Sequence, residues 1–196
     1  MNTFTRLINI SAAALTGAVL DLNLEGGASA EVRIDAITVD PKVPEGDVYL
    51  YDLSVADAAG QWAPVCTPEA DGKPHAILRP AADGRIAILC TAGALGKCIR
   101  FGYRPWATVG TTPLEPYWQA CVRMVRADYC GDEQPTTRDG MLIDIWDEAG
   151  VQERTGLADL SFEAAWGATG AICVAHPRVP QNVSLAGLEA ACPRLR

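Results

Sequence analysis

From Ala30 onward the chain alternates. In AEVRIDAITV, Val32 and Ile34 alternate with Arg33 and Asp35, the two-residue period of a strand with one buried face. After the loop PKVPEGD, the run DVYLYDLSV sets Val48, Leu50 and Asp52 against Tyr49, Tyr51, Leu53 and Val55. DAAGQWAPVC reads as a hairpin turn leading into Trp62 and Cys66, and EADGKPH as a second polar turn. HAILRP and RIAILC are short apolar strands separated by AADG.

The period changes in TTPLEPYWQACVRMVRADYCG. Leu114, Tyr117, Trp118, Cys121, Val122, Val125 and Tyr129 recur at steps of three and four, which predicts an amphipathic helix. Thr112 is its expected N-cap, with Pro113 at the first helical position, Glu115 closing a capping box and Gly131 as the stop. Downstream, MLIDIWDEAGVQERTG is expected to form a hairpin. SFEAAWGATGAICVAHPR is either a short helix and a strand or a second hairpin, and SLAGLEAAC a helix capped by Ser184. At the N-terminus Ile10, Leu15 and Leu20 stand five apart, too few periods for a stacked coil, so the segment reads as a strand or lead-in. The expected fold is α+β: antiparallel strands packed on one main amphipathic helix, with residues 1–29 a lead-in and 30–196 a single domain.

A net charge of −8 over 196 residues argues against a nucleic-acid backbone or an anionic membrane as partner. No apolar run approaches the ~18 residues of a membrane span. Seven cysteines add a constraint: Cys66, Cys90, Cys98, Cys121, Cys130, Cys173 and Cys192. They are spread out and lack the close pairs of zinc sites, so disulfides in an oxidising, extracytoplasmic compartment are expected, with one thiol left over. The first thirty residues superficially resemble a secretory signal ending in Ala28-Ser29-Ala30. However, Asn9, Ser11 and Thr16 dilute its apolar part, and Asp21 and Glu25 charge the cleavage region.

If Cys121 and Cys130 share one helix, nine steps hold them ~13 Å apart. A disulfide needs Cα atoms within about 7 Å, so each requires a distant partner. Gly93, Gly96 and Gly102 lie in a glycine-punctuated stretch that is no phosphate loop, because Lys97 is followed by Cys98. The two histidines, His75 and His176, complete no recognisable catalytic set, and Cys173 and His176 would face opposite sides of a strand. Asp128, Asp132, Asp139, Asp144 and Asp147 lack the spacing of a calcium loop. Neither metal nor cofactor is expected. Trp and Tyr beside Arg104 suit a carbohydrate or peptide ligand, which makes Arg104, Trp106, Arg126, Asp128 and Tyr129 the candidate binding residues.

The segments GKCIRFGYRPW, RADYCGD (with Ala127, Asp128, Tyr129 and Cys130), TTRDGMLIDIWD and EAAWGATGAICVAHPR together resemble the bacterial ADYC domain family, over about Asp47 to Arg196. The resemblance implies an exported, cysteine-bearing domain of unknown role. The leading expectation is a non-catalytic, disulfide-stabilised binding or structural module. The alternative is an extracellular hydrolase using Asp128 with nearby acids, or His176.

Overall fold

The computed structural model describes residues 12–23, 27–81, 84–156 and 160–195. Asn9 and Ile10, and with them the start of the five-residue spacing and of the leader-like stretch, lie outside the described residues. The fold is mixed, with antiparallel sheets, helices and three disulfides. It forms two compact units, one up to Gly96 and one from Lys97.

The first unit opens with a helical turn, α1 (Ala12–Leu15), and continues as an antiparallel sheet: β1 (Val19–Asn23), β2 (Ser29–Val39), β3 (Tyr49–Ala56), β4 (Trp62–Pro64), β5 (His75–Pro80) and β6 (Ile86–Cys90). The strand order is β1-β2-β3-β5-β6, with β4 also paired to β3. The alternating segments therefore become strands where their period places them, and Val32, Ile34, Leu53 and Ala76 are buried together with Cys66. Leu15 packs against this core whereas Leu20 is exposed on edge strand β1, so the five-residue spacing builds no coil. A register shift between Ile34 and Ala36 marks the position of Asp35, whose carboxylate takes Arg33 Nε at 2.6 Å and Ser54 Oγ at 2.5 Å. Cys66 and Cys90 are joined, with Cα atoms 5.4 Å apart.

The GALGKCIR stretch is helical: α2 (Ala94–Arg100). A Cβ on Gly96 would lie 2.6 Å from the Cys90 carbonyl oxygen, so this glycine serves close backbone packing.

The second unit holds the short pair β7 (Thr108–Val109) and β8 (Thr112–Pro113), the main helix α3 (Glu115–Arg126), the hairpin β9 (Ala164–Gly167) and β10 (Gly170–Val174), and α4 (Leu185–Ala191). Helix α3 packs against β9 and β10. Its start corrects the sequence expectation. Thr112 and Pro113 are drawn into β8, so no capping box forms; Leu114 occupies the N-cap without a side-chain bond, and Pro116 sits in the first turn. The buried face is Trp118, Cys121 and Met124, whereas Val122 and Val125 are only partly buried. The expected hairpin over MLIDIWDEAGVQERTG is absent. Asp144 accepts from Thr155 N and Oγ1 (3.1 and 2.7 Å), and Asp147 from Val151 N and Gln152 N (3.2 and 2.8 Å). Carboxylates thus take amides that a strand partner would otherwise have bonded. AAWGATGAICV is the second hairpin, and Ser184 caps α4 through Gly187 N at 3.0 Å.

Neither Cys121 nor Cys130 bonds the other. Cys121 joins Cys98 and Cys130 joins Cys192, with Cα separations of 5.8 and 5.5 Å. On loop-closure entropy, the bridges at separations 24 and 23 stabilise by about 3 kcal/mol each and the one at 62 by about 4 kcal/mol. Cys173 carries the odd thiol, and it is exposed.

Thiol titration of the native protein should therefore count one reactive group, and seven after reduction in denaturant. More than one native thiol would refute this pairing.

Candidate functional site

Helix α3 ends on a residue other than glycine. Ala127 adopts φ 49°, in the left-handed region, and is fully buried. Its N–H and that of Asp128 close the helix on Met124 O and Arg123 O. The chain then turns about the Asp128 carboxylate, which is fully buried. Oδ1 accepts from Gly131 N (2.9 Å) and Asp132 N (3.2 Å), while Oδ2 accepts from Glu133 N (3.1 Å) and Arg123 Nη1 (2.5 Å). Gly131 is required beyond its φ of 73°, because a Cβ there would collide with the Thr169 carbonyl of the β9–β10 turn. Gly170 meets the turn from the other side, where a Cβ would lie 2.7 Å from Tyr129 O.

Tyr129 is buried in the same joint. Its ring stacks on Trp166 at 5.0 Å between centroids. Its hydroxyl donates to Glu163 Oε1 (2.8 Å) and accepts from Arg178 N (2.7 Å). Arg178 grips Glu163 through Nε (2.8 Å) and Nη2 (3.1 Å) and also reaches Met124 O (2.8 Å) at the end of α3. Arg194 donates to the carbonyls of Tyr129, Cys130, Thr169 and Ala171, beside the Cys130–Cys192 bridge. Burial, together with the neighbouring Glu163 carboxylate, holds the Tyr129 hydroxyl protonated well above the usual tyrosine range.

Of the five candidate binding residues, the structure brings Arg126, Asp128 and Tyr129 into this turn, where Arg126 Nη2 donates to Glu133 O. Arg104 and Trp106 lie in the segment between α2 and β7, and Trp106 is exposed. None of the five lines the groove that the second unit does form. That groove, of about 670 Å³, is walled by Tyr103, Tyr117, Trp146, Phe162, Trp166 and Ile172, with Met124 of α3 among its lining. Leu142, Trp146, Phe162 and Ile172 line it while 62, 44, 43 and 65% exposed, far more apolar surface than packing requires.

Asp144, Asp147 and Glu148 also line this groove. Asp147 accepts from Tyr103 OH at 2.8 Å and Glu148 from Tyr117 OH at 3.1 Å. Burial and the Asp147 hydrogen bond push the Tyr103 hydroxyl upward, and desolvation and Glu148 push that of Tyr117 in the same direction. The Arg154 guanidinium sits over Trp146, 5.1 Å from the ring centre. Among the described residues no three of His, Cys, Asp and Glu converge as a metal site needs. Sequence reasoning missed that Trp146 meets Phe162 at 6.3 Å. It also missed Ser161, whose Oγ lies 2.8 Å from His176 Nε2. Neither contact leaves a periodic signal.

The family model described as the ADYC domain matches residues 12–180. The match starts before the Asp47 read from sequence, taking in the β1–β2 pair, and stops ahead of α4. No curated protein and no solved structure matches the chain.

Asp128→Ala should destabilise by about 3–5 kcal/mol, since it strips Arg123 of its partner and orphans three amides. Chemical denaturation of the purified variant measures this, and a loss under about 1 kcal/mol would refute the keystone role. Alkaline pH supplies a second check. Tyr103 and Tyr129 have raised folded values, so the unfolded chain loses those protons first; stability is intact below about pH 10 and declines above it. That decline should be shallower in Tyr103→Phe.

Proposed function

The chain belongs to the ADYC domain family, and we propose that it is an exported, disulfide-stabilised binding module whose groove takes an extended peptide. The observation that carries this reading is the aromatic groove of the second unit, whose apolar side chains stay exposed. Export is supported by three disulfides, which persist in oxidising compartments. Among the described residues no helix is long and apolar enough to cross a membrane.

Charge complementarity selects the occupant. Glu163 is matched by Arg178, and Arg154 is held over Trp146, which among the described residues leaves the rim with Asp144, Asp147 and Glu148 against one cation, in a chain of net charge −8. The complementary ligand presents apolar side chains to Trp146, Phe162 and Ile172, and Lys or Arg to the rim. Arg154 itself illustrates the favoured contact, a guanidinium on the face of an indole. The polar groups of the Asp128 turn support a structural role for that turn, because its carboxylate oxygens are engaged internally.

Titrating the protein with acetyl-Leu-Lys-Leu-Lys-Leu-amide, its Glu counterpart and a cello-oligosaccharide tests this reading by calorimetry. The Lys peptide should bind, more weakly as salt rises, and Trp146→Ala should cost about 2 kcal/mol. Preference for the acidic peptide or the sugar would overturn the peptide assignment, and so would binding to none of them.

A further inference from the structure

We infer that Ser161 and His176 form a nucleophile–base pair at the groove, able to act on esters with apolar acyl groups. This goes beyond binding, and it does not depend on which ligand the aromatic wall prefers. Both residues line the groove, and both are exposed to an incoming molecule. Ser161 Oγ stands 2.8 Å from His176 Nε2, within the reach a general base requires.

The other ring nitrogen sets the direction of that hydrogen bond. His176 Nδ1 lies 3.3 Å from the carbonyl oxygen of Pro177. A carbonyl only accepts, so Nδ1 carries the proton there. In the neutral imidazole Nε2 is then the acceptor, and the Ser161 hydroxyl donates to it. That is the tautomer a base needs, with a backbone carbonyl in the orienting place that a carboxylate fills in a three-residue set. Phe162, Trp166 and Ile172 wall the same groove and offer apolar surface to an acyl chain.

The chemistry balances without a further reactant. Ser161 Oγ bonds to the acyl carbon as its proton passes to His176 Nε2. The bond from that carbon to the alcohol oxygen breaks, and the departing oxygen takes the proton from Nε2. Water, deprotonated by the same nitrogen, then adds to the acyl carbon; the bond from that carbon to Ser161 Oγ breaks, Oγ takes the proton back from Nε2, and the acid is released.

Labelling with a fluorophosphonate bearing a short alkyl chain tests the pair in the intact protein. Peptide mapping by mass spectrometry should find one adduct per chain, on Ser161. Labelling should be absent in Ser161→Ala and about a hundredfold slower in His176→Gln. No adduct, an adduct on other residues, or an unchanged rate in His176→Gln would overturn the inference. Mapping on the unmodified protein decides the matter even if a variant fails to fold.

Discussion

The second unit depends on a carboxylate with no access to water. Asp128 receives three backbone amides of the tight turn and the Arg123 guanidinium, so four donors converge on two oxygen atoms. An ionised group in that position is tolerable only when paired and fully hydrogen-bonded. The same bonds offset the left-handed conformation of Ala127, which costs about 1–2 kcal/mol in a residue with a Cβ. Around this centre Tyr129, Glu163, Arg178 and Arg194 join the helix end, the β9–β10 hairpin and the C-terminal segment, and Cys130–Cys192 makes the joint covalent.

The groove takes its form from that joint. Trp166, stacked on Tyr129, also lines the groove, and Glu163 and Arg178 do the same while holding the tyrosine hydroxyl. Leu142, Trp146 and Phe162 also line the groove, and the stretch with Leu142 and Trp146 is shaped by the hydrogen bonds of Asp144 and Asp147. The polar signature is thus spent on rigidity, and exposed aromatic surface is left to neighbouring side chains. A rigid joint beneath an apolar groove reduces the ordering cost of holding a ligand.

Much of the fold was legible in local pattern. The strand period placed β2, β3, β5 and β6 and Ser184 announced α4; Cys121 and Cys130 do take separate partners, although α3 ends at Arg126 and Cys130 lies beyond the helix expected to carry it. The start of α3 was misread because Thr112 satisfies a cap and a strand pair equally well in local terms, and pairing with Val109 decides between them. The segment Met141–Asp147 alternates like a strand, yet its acids bond backbone amides several residues onward. The candidate site was legible only as residue types. Asp128 and Tyr129 stood out as polar groups in a cysteine-bearing turn, but whether a carboxylate meets a ligand or its own amides depends on backbone direction after the helix.

The amino-acid order by itself determined the main sheet-forming segments of the first unit, the amphipathic face of α3 and the need for long-range sulfur bridges. Each of these follows from periodicity or reach along a few residues. Which cysteines pair, that Cys173 stays free, that Asp128 is buried, and that Ser161 meets His176 were decided only in the folded chain. Those contacts join residues up to 62 positions apart, and no local pattern records which distant surfaces will close on one another.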